Sequence, residues 1–393
     1  MTRRTMLLLL AVPLLFLSSG AVGTPADPPA KDEAKKGGID RTGVTKKRLL
    51  KEFGGSAESE EAVMLGLAWL TQMQKQDGSW VYDTGRTGET AAATGMAVLA
   101  FLGAGQSHKE GRYKQTVQAG LDWLVKSVET GQGANRGRFK TIGDMYAQGI
   151  ATLALCEACG MTQDPALRPA AQAAVDYIQK GQAKNGSWGY RVPDSGDTSI
   201  VGWQIQALHA AKLAQLDVDD KVIKQAMKFL DSVAGGQNKA TYGYADKGLA
   251  APATSLTAIG LLCRYYVDGW RPETAGFAEG SKGLMKRAPA ATQTRPQLDL
   301  YYYYYATQVV RYYGGEEWKT WNEGTLKGDT RKGGMADWLI DLQVRTPSQR
   351  GSWDPEPGTI GGHCGRLGTT CLCLLTLEVY YRYDPQSADK GMK

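Results

Sequence analysis

Gly66-Leu67-Ala68-Trp69-Leu70 returns as Gly120-Leu121-Asp122-Trp123-Leu124, as Ala174-Val175-Asp176-Tyr177-Ile178 and as Ala226-Met227-Lys228-Phe229-Leu230. A weaker copy stands at Gly283-Leu284-Met285, and a last one ends at Asp337-Trp338-Leu339. The aromatic falls at 69, 123, 177, 229 and 338, in steps of 54, 54, 52 and 109, the last being two units. A fixed period of this size marks an array of supersecondary units, each too small to bury its own apolar face.

Each copy is followed by a second apolar run: Ala91 to Leu102, Tyr146 to Cys159, Ile200 to Leu213, Ser255 to Tyr266, Leu300 to Tyr312 and Thr370 to Tyr381. The first runs carry Lys, Gln, Asp and Glu on one face, whereas the second are small and apolar all round. A striped helix is peripheral and a uniformly apolar one is buried. Six outer–inner helical hairpins then give an all-α chain, a single α/α toroid with two concentric rings of helices.

Three of the connecting loops carry Gly-Ser-Trp, at Gly78-Ser79-Trp80, Gly186-Ser187-Trp188 and Gly351-Ser352-Trp353. A glutamine precedes each: Gln74 or Gln76, Gln179 or Gln182, and Gln343. Glycine tolerates the positive φ that ends a helix, and the tryptophan can then fold back over that end. This pattern resembles the QW motif of squalene cyclases and the wider prenyltransferase and squalene oxidase repeat superfamily. Thr370-Cys371-Leu372-Cys373-Leu374 is similar to the final inner helix of protein prenyltransferase β-subunits. The resemblance spans about Glu60 to Tyr383 and implies a terpenoid-cyclase-like fold with a lumen suited to an apolar or isoprenoid molecule.

The chemistry of those families is not carried over. Where the cyclases have Asp-x-Asp-Asp-Thr, this chain has Asp194-Ser195-Gly196-Asp197-Thr198, with glycine at the proton-donating acid. The zinc histidine of the prenyltransferases falls on Thr369, and their Asp-x-Cys pair is missing. His363-Cys364-Gly365-Arg366 lacks the Glu-Gln of a thioester, and whether His363 and Cys364 hold a metal stays open. No cofactor is expected.

Aligning the inner helices brings Thr90, Asp144, Asp197, Ala253, Asp299 and Gly368 to one end of the ring. Asp144, Asp197 and Asp299 are therefore the catalytic candidates. The same residues suit helix N-caps, because a short carboxylate accepts the first free amides. Tyr301-Tyr302-Tyr303-Tyr304-Tyr305 covers every face of its helix, so some of these rings face the lumen. Tyr301, Tyr302 and Tyr305, with Tyr146 and Trp203, are the expected ligand-binding aromatics. Such rings suit isoprenoid chains, sugars and cations alike.

Outside the array, Arg3 and Arg4 precede an apolar run from Met6 to Leu17 and small residues up to Gly23. Residues 1–23 read as a cleaved signal peptide, which places the mature chain in a secreted or periplasmic compartment. Residues 24–59 read as a flexible linker, 60–384 as the toroid and 385–393 as a disordered tail. No other stretch is long and apolar enough to span a membrane. The formal net charge of +6 has no central basic cluster, which argues against a nucleic-acid groove. The six cysteines sit mostly in apolar helical patterns and read as buried thiols. Two functions follow. The first is a ligand- or partner-binding toroid, taking an isoprenoid or other apolar molecule, a peptide or a glycan. The second is an isoprenoid- or polysaccharide-active enzyme using the mouth carboxylates.

Overall fold

The computed structural model describes residues 40–41, 43–84, 89–141, 144–289, 299–355 and 359–382, all within one compact unit, Lys36–Lys393. The expected signal peptide and tail lie outside the described residues.

Six inner helices close a ring. They are α3 (Thr90–Gly103), α5 (Met145–Thr162), α7 (Thr198–Leu213), α9 (Ser255–Val267), α11 (Leu300–Tyr313) and α14 (Thr359–Leu377). Each packs on the next in order, and α14 packs back on α3. Around them run α2 (Ala57–Met73), α4 (Lys114–Ser127), α6 (Arg168–Lys180), α8 (Asp220–Val233), α10 (Ala275–Leu284) and α13 (Met335–Leu342). The α/α toroid is thus the observed fold. Its two rings differ as the patterning requires. In α5 every residue but Tyr146 and Thr162 is buried, whereas α8 buries the stripe Ile223, Ala226, Met227 and Leu230.

The loops show how the units are joined. Gln74 donates to the carbonyls of Gly78 and Thr116, Gln182 to those of Gly186 and Val222, and Gln343 to those of Gly351 and Ala62, all at 2.8–3.0 Å. The second acceptor always belongs to the next outer helix, and Gln343 to Ala62 ties the last unit to the first. Trp80, Trp188 and Trp353 turn back to donate to Leu70, Ile178 and Leu339, satisfying carbonyls near the ends of outer helices. Gly186 shows why glycine is needed. Its φ is +90°, and a Cβ there would lie 2.1 Å from the Gln225 carbonyl oxygen.

Three features differ from the sequence expectation. Part of the stretch expected as linker is folded: α1 (Gly43–Phe53) precedes the ring, Leu49 is buried, and α2 already starts at Ala57. An extra helix, α12 (Gly315–Glu323), and a hairpin of β1 (Gly324–Lys327) with β2 (Thr330–Gly333) intervene before α13. They fit inside the 54-residue step because α13 has only eight residues. Finally, α14 starts eleven residues before the expected Thr370, and its backbone breaks at Gly365, where φ is +59°.

Candidate functional site

At the N-terminal ends of the inner helices the ring encloses a cavity of about 680 Å³, to which all six contribute lining residues. Its sides and floor are apolar: Ala92 and Met96 from α3, Ile150 from α5, Trp203 from α7, Leu256 from α9 and Leu372 from α14. Its rim is polar, with Glu89, Asp144, Asp299, Ser199, Ser255 and His363, and with the phenols of Tyr82, Tyr146, Tyr190, Tyr244 and Tyr301.

The three aspartates named from the sequence are all N-caps. Asp144 accepts from the amides of Tyr146 and Ala147, Asp197 from Ser199 and Ile200, and Asp299 from Tyr302. They differ in what else they do. Asp144 and Asp299 line the cavity. Asp197 is only 2% exposed and lies behind Ser199, whose hydroxyl donates to it. Tyr146 in turn bonds Ser199, so a chain of hydroxyls runs from the rim to the buried Asp197. Asp299 faces the Arg287 guanidinium at 3.4 Å. Burial holds the Asp144 carboxyl above its ordinary range, against the pull of its two amide bonds, and nearby Asp197 adds to the rise.

Of the remaining aligned positions, Thr90 opens α3, after the N-cap Glu89, and Ala253 stands just before Thr254, the N-cap of α9. Gly368 does not open its helix but lies inside α14. Of the expected aromatics, Tyr146, Trp203 and Tyr301 line the cavity. Tyr302 does not. Its hydroxyl donates to the Leu284 carbonyl and its ring lies against Tyr303, between α10 and α11. Tyr305 lies behind the wall, edge-on to Trp203 and bonded to Gln206. The five-tyrosine run is mostly packing because one helix face alone can reach a lumen.

Tyr82, Tyr190 and Tyr244 were missed because they come from loops without periodicity. Burial raises the phenol pKa of Tyr82, Tyr146, Tyr244 and Tyr301, so these rings stay neutral hydrogen-bonding groups. Cys364 also faces the cavity, with its thiol pushed up to about 12 by burial, so it is a poor nucleophile and a poor thiolate ligand. Among the described residues no group of three or more His, Cys, Asp or Glu side chains could hold a metal ion. All six cysteines are buried and unbridged.

The far end of the lumen is closed. Glu157, thirteen residues along α5 from Asp144 and so about 20 Å deeper, is fully buried. It pairs with Arg41 at 2.6 Å and with Arg382 at 3.0 Å. Arg41 also donates to the Arg382 carbonyl, so the segment before α1 acts as a stopper. Among the described residues, these buried ion pairs fill the end of the ring opposite the cavity.

No protein-family model matches the chain, and no curated protein matches it in sequence. Solved structures do share its shape. The GH76A α-1,6-mannanase of Salegentibacter sp. HEL1_6 superposes with a TM-score of 0.54 at 12% identity, over 82% of this chain and 98% of that one. A glycosidase variant in complex with glucose superposes at 0.52 and 12% identity, over 87% and 100%. A type II terpene cyclase from Scytonema, in complex with geranylgeranyl dihydroxybenzoate, reaches 0.49 at 14% identity, over 83% and 98%. At such identities the likeness to the first two is one of fold alone.

Proposed function

We propose that this chain is a binding protein that takes an amphipathic small molecule into its lumen, apolar body inward and polar end at the rim. The observation that carries the reading is the cavity of about 680 Å³, with apolar Ile150, Met96 and Leu372 in its wall beside carboxylates and phenols. Concave, mostly apolar sites with a few placed polar groups are what small ligands need. A flat docking face for a peptide or glycan chain lacks such depth. Export on residues 1–23 belongs to the same proposal, and the N-terminal sequence of the mature protein tests it.

Native mass spectrometry of the protein purified from its own compartment tests the binding reading. The expected spectrum shows a small-molecule adduct that disappears in Ile150→Trp, which fills the cavity with an indole. A folded protein that carries no adduct and takes up no amphiphile overturns it.

One observation favours a second reading, an enzyme on the same scaffold. Asp144 keeps its proton to higher pH than an ordinary aspartate does, and it stands in the cavity beside the Tyr146–Ser199–Asp197 chain. Such a group is suited to protonating a bound molecule. Conversion of the co-purified ligand by the wild type but not by Asp144→Asn distinguishes catalysis from binding.

A further inference from the structure

The charges of the mouth are unevenly matched. Asp299 has Arg287 beside it. Asp144 and Asp197 lie close enough to repel one another, and among the described residues neither forms an ion pair. Asp144 is half-buried at the cavity wall, where water compensates its charge poorly.

Convergent helix N-termini would ordinarily attract an anion. Here four of the six ends are already taken. Asp144, Asp197 and Asp299 occupy the first amides of α5, α7 and α11, and the Thr254 hydroxyl occupies one of α9. At α5, α7 and α11 an incoming phosphate or carboxylate would meet carboxylates.

Aromatic rings line the same cavity as Asp144. Tyr146 and Tyr190 approach with centroids 5.9 Å apart, and Tyr301 and Trp203 line the same space. Aromatic rings sharing a cavity with a carboxylate that forms no ion pair among the described residues make a receptor for an organic cation, since both attract positive charge and neither needs a small, strongly hydrated ion. Below them the wall turns apolar at Ile150 and Met96.

We propose that the ligand of the lumen is an amphiphilic organic cation, its ammonium head seated beside Asp144 among Tyr146, Tyr190 and Tyr301 and its apolar tail running inward past Ile150. The proposal rests on the reading of the cavity as a ligand site and adds the chemical class of the ligand.

Three probes with one tail test it: dodecyltrimethylammonium, dodecanol and dodecanoate, each titrated below its aggregation limit into the full-length mature protein by calorimetry. The ammonium probe is expected to bind roughly tenfold or more tighter than the alcohol and the carboxylate weakest of all. In Asp144→Asn, which keeps the helix cap, the ammonium-to-alcohol ratio falls towards one. Ile150→Trp weakens all three, which places them in the lumen. Equal affinities, or a preference for dodecanoate, overturn the cation assignment and leave the binding reading standing. Failure of all three to bind a folded protein overturns both.

Discussion

Glu157 and Asp144 stand on the same helix and are treated in opposite ways. At the base, Glu157 is gripped by two arginines, one contributed by the segment before α1 and one by the residues after α14. At the mouth, Asp144 accepts from the amides of its own helix start and, among the described residues, forms no ion pair. The Glu157 charge is matched because the chain closes there without solvent. The mouth charge is left for something else to match. One end of the lumen is finished by the protein itself, and the other is completed by what it binds.

The largest expected effect comes from breaking the finished end. Glu157→Gln removes the shared carboxylate and leaves Arg41 and Arg382 charged and buried. Breaking such a network by removing one partner costs about 3–5 kcal/mol. Urea unfolding monitored by circular dichroism measures the loss. A change below about 1 kcal/mol would mean that the arginines find water or other acceptors, and the contrast between the ends would dissolve.

His209 on α7, within the field of Glu157, gives the next effect. It is buried and stacked on Tyr266 with centroids 4.5 Å apart. Burial, with a smaller contribution from Lys212, lowers its pKa to about 4, while Glu157 opposes the shift. A base with a depressed folded pKa contributes stability that is whole above the unfolded value of about 6.5 and is lost as pH falls towards about 4. The loss amounts to about 3 kcal/mol. The midpoint of thermal unfolding, followed from pH 7 to 4, should fall less steeply in His209→Phe than in the wild type. Parallel curves would show that the imidazole is hydrated when charged.

Much of this architecture was legible before any coordinates. The 54-residue step, the Gln–Gly–Trp loops and the uniformly apolar second runs are local signals, and each maps to a helix, a corner or a ring. Asp144, Asp197 and Asp299 were legible as caps for the same reason. The site was only half legible. Which tyrosines of the 301–305 run face the lumen depends on helix rotation, set by packing on α9, α14 and α10 and not by composition. Tyr190 and Tyr244 reach the cavity only because the loops fold over the rim. Arg41 was hidden by its neighbours, since a polar, Lys- and Gly-rich stretch reads as linker even when one arginine in it anchors the base. The lone Glu157 in the middle of an apolar inner helix was the available clue, because a charge there demands a partner.

The smallest expected effect on stability is at the mouth, and it sharpens the comparison most. Asn caps a helix about as well as Asp, so Asp144→Asn keeps the amide bonds of α5. It also removes a charge that burial disfavours. The folded pKa of Asp144 is raised above its unfolded value, so the wild type carries a penalty that is absent at low pH and grows as pH rises through the folded pKa. The Asn variant should therefore match the wild type in acid and equal or slightly exceed it at neutral pH, by no more than about 1 kcal/mol. Saturating dodecyltrimethylammonium should reverse that order, because a cation stabilises only the chain that still has the charge to receive it. A loss of 2 kcal/mol or more in the ligand-free variant would show instead that the Asp144 charge is structural, and that the mouth is as finished as the base.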